Sequence, residues 1–114
     1  MRVERVDYGT VTILRMDGDI DENGIEALRS ALYECFRDAR FNLVMNLETV
    51  RFISYLGLGV LVERLRKARF CKGDIKLVGL NLYAQRLLRM SGVTSLFESY
   101  ESETQAIAVF QEAA

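Results

Sequence analysis

The stretch RFISYLGLGVLVERLRKARF, residues 51–70, decides how this chain folds. It begins as a short apolar run, passes through Ser54 and a pair of glycines, and ends in a dense basic segment. Leu58, Leu61, Val62 and Leu65 stand at i, i+3, i+4 and i+7, the spacing of one buried helix face. Ser54 falls where the strand-like run 50–53 stops and the helical stripe starts. It is a natural N-cap, its hydroxyl placed to accept from the amide of Leu56 or Gly57. Arg64, Arg66, Lys67 and Arg69 occupy the last turns, where cations complement the negative end of the helix dipole.

Working outward, FNLVMNL (41–47) precedes this unit as a short buried strand, and Gly73 breaks the chain after it. DIKLVGL (74–80) then reads as another strand. Upstream, Val3–Val6 and Val11–Met16 read as two strands joined by the turn DYGT (7–10), a hairpin signal. Ile25, Leu28, Leu32 and Phe36, with Ala31 and Cys35 beside them, mark a helix running to about Ala39. Downstream, Asn81 caps a third helix through about Met90, with Ala84, Leu87 and Leu88 inward and Gly92 as its stop. A short strand is expected around Leu96 and Phe97. Ser102-Glu103-Thr104-Gln105 has capping-box spacing, and Ala106, Val109, Phe110 and Ala113 form the stripe of a last helix. After the opening hairpin, strand and helix alternate. That pattern implies an α/β fold with a mixed, mainly parallel sheet of four or five strands packed by about four helices. No repeat, linker or low-complexity segment divides the chain, so residues 1–114 are read as one domain.

Composition narrows the chemistry. Fifteen basic residues stand against sixteen acidic ones, a net charge of −1, so no global field favours nucleic acid or an anionic membrane. The chain has no histidine, which removes Ser-His-Asp and Cys-His catalysis and every His-containing zinc site. Cys35 and Cys71 lack CxxC spacing and read as free thiols in a reduced compartment. No signal peptide precedes the first strand pattern and no apolar run approaches the roughly 18 residues of a membrane span. A cytoplasmic protein without membrane insertion is the expectation.

Three motif readings fail on inspection. Asp17, Asp19 and Asp21 alternate as at the start of a calcium loop, but its sixth and twelfth positions hold Glu22 and Leu28. Asp21 is read instead as the cap of the first helix. Gly57-Leu58-Gly59 follows a strand and opens a helix, yet the third glycine of a dinucleotide fingerprint would fall on Val62. These glycines are expected to let helix and sheet backbones approach closely. The basic run from Arg64 to Lys72 has no interleaved aromatic platform, so direct nucleic-acid binding is not expected. No cofactor, metal or catalytic residue is predicted.

What remains is the start of the second helix. Free amides and the dipole make it a favourable place for negative charge, and a phosphate there would leave the fold intact while altering a docking surface.

At these residues the chain resembles, end to end, the STAS domain of bacterial anti-sigma-factor antagonists. The resemblance rests on GDID (18–21), MNLETVRFIS (45–54), GLGVLV (57–62), KLVGLN (76–81) and RMSGV (89–93). In that family the central motif reads Asp-Ser-Ser-Gly-Leu-Gly or Ser-Ser-Ala-Gly-Leu. The resemblance implies a non-catalytic protein that docks on an anti-sigma factor with a kinase-like ATPase fold and frees the sigma factor. Phosphorylation of a motif serine by that kinase then ends the interaction. Asp21 matches the family's acid near the docking loop, and Gly57 and Gly59 match its glycines. Ser54 stands where the family has Asp or Ser, Tyr55 where it has the phosphorylated Ser or Thr, and Leu56 where it has a small residue. The docking surface so implied comprises Asp19, Asp21, Ser54, Tyr55, Leu56, Gly57, Leu58 and Gly59.

Three readings of the altered motif stay open. Tyr55 and Leu56 form an apolar docking surface without a switch, regulation has moved to Ser54, or Tyr55 is itself modified. Ser54 can also be a simple cap, and Tyr55 an aromatic partly buried against a neighbouring loop. Two further partners are compatible with the sequence: the ATPase of a lipid transporter, bound constitutively, and a second copy of the chain in a weak homodimer. A small nucleotide-binding domain or enzyme is the alternative of another class.

Overall fold

A computed structural model of the chain describes residues 1–112. Ala113, assigned above to the last helical stripe, lies outside the described residues. The elements are β1 (Arg2–Tyr8), β2 (Val11–Asp17), α1 (Ile25–Arg37), β3 (Asn42–Thr49), α2 (Tyr55–Phe70), β4 (Asp74–Val78), α3 (Leu82–Met90), a 3-10 turn (Thr94–Leu96), β5 (Ser99–Tyr100) and α4 (Glu103–Glu112). The strands lie in chain order, β1-β2-β3-β4-β5. The β1–β2 pair is antiparallel and every other neighbouring pair is parallel.

Successive parallel neighbours joined by crossovers of one hand must place their helices on one face. Leu14, Met16, Leu43, Met45, Leu47, Ile75 and Leu77 accordingly meet Leu28, Leu32, Leu61, Leu65, Ala84, Leu87 and Leu88 in one core. The alternate strand residues Ile13, Val44 and Val78 form a smaller core with Ala106, Ile107 and Phe110 of α4. The α4 face also carries polar contacts. Arg15 donates twice to Glu103, and Asn46 donates to the same carboxylate. Lys76, buried in β4, reaches Asp74 and Glu98 and sits 4.6 Å from the centre of the Phe110 ring.

The expected α/β architecture is present, with several boundaries moved. The hairpin turn is only Gly9-Thr10, because Asp7 and Tyr8 continue the ladder against Thr12 and Val11. Helix α1 stops at Arg37, two residues early, where Ala39 takes a left-handed φ of 56° and Arg40 N donates to Cys35 O. At the end of α2 the left-handed residue is Lys72, not Gly73. Gly73 serves a different purpose: a β-carbon there would collide with the carbonyl of Phe41. The strand expected at Leu96 and Phe97 is displaced. Leu96 closes the 3-10 turn through its amide to Val93 O, Phe97 is buried in the core, and pairing with β4 begins at Ser99.

Candidate functional site: the start of the second helix

Helix α2 begins beside the C-terminal end of β3, and two loops are fastened together there. Ile20 N donates to Phe52 O and Ser54 N donates to Ile20 O, both at 2.8 Å, forming an isolated parallel bridge between Ile20 and Ile53. This bridge brings the 19–24 loop beside residues 52–54, so Asp19, Asp21 and Ser54 belong to one region. Ser54 is the N-cap: its backbone is extended and its Oγ accepts from Gly57 N at 3.0 Å. Asp21 is not the N-cap of α1. Gly24 holds that position, and the Asp21 carboxylate accepts from Asn23 N and Gly24 N, while its carbonyl accepts from Ile25 N. The residue organises the turn that feeds the helix, which a short acidic side chain does well. Oδ1 of Asp19 is buried without a hydrogen-bond partner.

The two motif glycines differ. A β-carbon on Gly57 would stand 2.6 Å from Ile20 Cγ2 and 3.3 Å from Ser54 Oγ, so close approach explains the residue. A β-carbon on Gly59 would meet nothing within 4 Å. The expectation of close packing therefore fails at Gly59, which instead leaves a shallow place on an exposed helix face.

Among the proposed docking residues, Gly57 and Leu58 are buried and form the floor. Tyr55 is 72% exposed and Leu56 59% exposed. That exposure disagrees with an aromatic partly buried against a loop. Tyr55, Leu58, Gly59 and Val62 line a shallow groove against Ser91 and Val93 after α3, with Glu63 and Arg66 at its charged rim. The sequence reading missed the neighbouring Phe52 and Tyr83, whose rings stack with centroids 5.9 Å apart. The Tyr83 hydroxyl donates to Ile53 O, and Leu82 beside it is exposed. One signal was available: Leu82 stays off the phase of the inward stripe of α3, and Tyr83, four residues before Leu87, lies at its edge. The start of α2 thus offers an apolar surface with one capped helix terminus, and the region contains no histidine or cysteine. Among the described residues, no group of three or more Cys, Asp or Glu side chains could hold a metal ion, and no helix is long and apolar enough to cross a membrane.

Known proteins resemble this chain in sequence and in fold. An anti-sigma F factor antagonist of Paenibacillus polymyxa is 25% identical over 108 residues, covering 94% of this chain and 92% of that protein. The crystal structure of an anti-sigma factor antagonist from Mycobacterium paratuberculosis superposes with a TM-score of 0.84 at 23% identity, covering 95% of this chain and 92% of the other. The anti-sigma factor antagonist SpoIIAA in its unphosphorylated form gives a TM-score of 0.83 at 18% identity over 97% of each chain. Those two likenesses show the shared fold. The STAS domain family matches residues 2–106, nearly the whole chain, and the protein belongs to that family.

Proposed function

We propose that this protein is a non-catalytic regulator of the anti-sigma-factor-antagonist kind, acting by reversible docking on an anti-sigma factor with a kinase-like ATPase fold. The relatives' activities support the partner class. The observation that carries the site is the exposure of Tyr55 and Leu56 at the capped start of α2, where the family pattern has a phosphorylatable residue followed by a small one. An exposed tyrosine suits a docking anchor, since its ring buries large area while its hydroxyl tolerates water.

The phenol oxygen lies several ångströms farther from the backbone than a serine hydroxyl. A kinase built for serine does not reach the same acceptor. The Ser54 hydroxyl is the nearest alternative acceptor; it accepts from the Gly57 amide and keeps a second lone pair. A phosphate on it would stand at the positive end of α2, where negative charge is favourable. We favour a docking surface whose switch is absent or weakened.

The test is isolation of the native partner from the protein's own cells, followed by titration with Tyr55→Glu. An ATPase-like anti-sigma factor bound by the parent and lost in the variant supports the proposal. Full affinity in the variant overturns the surface. The phenol at position 55 also favours a second reading, constitutive attachment to a transporter ATPase. Recovery of that ATPase, with affinity indifferent to kinase treatment, identifies it.

A further inference from the structure

The sheet has one long open edge. Among the described residues nothing pairs with the outer side of β1, a strand of seven residues in unbroken register with β2. Edge strands in soluble proteins are usually blunted by proline, by charged side chains, lysine above all, by bulges or by a covering element. The four charges of β1 protect it only against a partner that does not complement them. Here β1 contains no lysine and no bulge, and the whole chain has no proline. Its charges, Arg2, Glu4, Arg5 and Asp7, sum to zero.

Two copies of one strand can extend a sheet as antiparallel neighbours only about a two-fold axis perpendicular to it. That operation keeps the α1 face with the α1 face, so facing residues share a side. The sides are known. Arg5 reaches Asp38 at the end of α1, and Arg5 and Asp7 bond to each other on that face. Glu4 bonds Arg15, which bonds Glu103 of α4, so Glu4, Val6 and Tyr8 belong to the other face. The axis must then pass through a residue. Through Glu4, Arg5 or Asp7 it sets like charges directly opposite, which destabilises a ladder. Through Val3 it opposes Arg2 to Glu4 but pairs only the first half of the strand. Through Val6 it sets Val6 against Val6, Arg5 against Asp7 twice, and the exposed Tyr8 against Glu4, pairing residues 4–8.

We propose that β1 is a self-association edge, and that two copies of this chain join antiparallel about a two-fold axis at Val6 into a continuous ten-stranded sheet. The contact is small and belongs to the weak, transient class. It uses a different element from the start of α2, so it stands or falls apart from the docking proposal.

The experiment uses the full chain with Cys71→Ser, which leaves only the buried Cys35 thiol. Facing residues of an antiparallel pair have Cα atoms about 4.5–5.5 Å apart, within disulfide reach. Val6→Cys, a change of similar volume, is expected to cross-link to its copy under mild oxidation. Glu4→Cys copies would lie about 14 Å apart along the strands and stay unlinked. In sedimentation equilibrium from micromolar to millimolar protein, Val6→Lys is expected to weaken the dimer at least tenfold. A monomer at every concentration overturns the proposal. So does preferential cross-linking at Val3→Cys or Glu4→Cys, or a dimer that Val6→Lys leaves unchanged.

Discussion

The Cγ2 methyl of Ile20 lies 2.6 Å from where a β-carbon on Gly57 would stand. The loop after β2 therefore presses directly against the first turn of α2, with no room for even one added carbon. Gly59, two residues on, has open space at the same atom. Gly57→Ala is expected to destabilise the fold by about 1–3 kcal/mol through overpacking. Gly59→Ala is expected to stabilise it by about 0.5–1 kcal/mol, since it removes a glycine from an exposed helix interior. Urea denaturation midpoints of the two variants should move in opposite directions.

The same pair separates fold from docking. If the shallow place at Gly59 receives a partner side chain, Gly59→Ala weakens the complex while raising the melting temperature. A variant both more stable and equally tight would remove Gly59 from the surface.

The caps of α2 and α3 should respond to substitution to different extents. Ser54 Oγ makes one bond, to Gly57 N, so Ser54→Ala should cost about 1 kcal/mol. Asn81 accepts from Ala84 N and also donates to Val50 O across the domain. Its alanine variant should cost more than that of Ser54, by roughly the worth of the second bond, about 1 kcal/mol. Equal losses in thermal or urea unfolding would show that the bond to Val50 contributes little.

Acid should loosen the α4 side of the sheet first. Hydrogen bonds from Arg15, then from Asn46, hold the Glu103 carboxyl below its ordinary value against the opposing effect of burial. Hydrogen bonds from Lys76 and Tyr100 lower that of Glu98. A lowered folded pKa contributes stability above the unfolded value, near 4.3 for glutamate, that is lost as pH falls through the folded one. Unfolding free energy should therefore decline from about pH 4.3 downward. Glu103→Gln should flatten that slope, and an unchanged slope would place the acid sensitivity elsewhere.

Lys76 offers a further check. Burial works to lower the pKa of its ammonium, but bonds to Glu98 and Asp74 outweigh burial and raise it. Lys76→Ala strips charge and stem together from beneath Phe110, whereas Lys76→Met keeps the apolar stem. The alanine variant should be the less stable by about 1–2 kcal/mol, the worth of the lost packing. Equal urea midpoints would count against the stem.

The sequence disclosed most where one residue's chemistry acted locally. The stripe Leu58, Leu61, Val62 and Leu65 and the caps Ser54 and Asn81 could be read because periodicity and side-chain-to-backbone bonds span only a few residues. Ser102 likewise accepts from Gln105 N, as the capping-box spacing suggested. The two-residue strand β5 could not be read, since it is too short to alternate and exists through its pairing with Leu77 and Val78. The left-handed Ala39 and Lys72 were missed because glycine is the usual signal for that conformation. In the candidate site, the unequal roles of Gly57 and Gly59 depend on Ile20, distant in sequence. The Phe52–Tyr83 stack is likewise a tertiary fact.

The strands lie side by side in the order in which they occur in the chain, and that order bears on biosynthesis. Each strand leaving the ribosome finds its neighbour already made, so the sheet can grow by addition at one margin without threading or insertion. The opening hairpin supplies a template of purely local contacts, the kind that form fastest. Among the described elements, α4 emerges last. When Glu103 reaches Arg15, a pair 88 residues apart, α4 is tied to β2. A ribosome-stalled chain lacking α4 should therefore present a finished sheet with one bare face, the natural stage for a chaperone to engage.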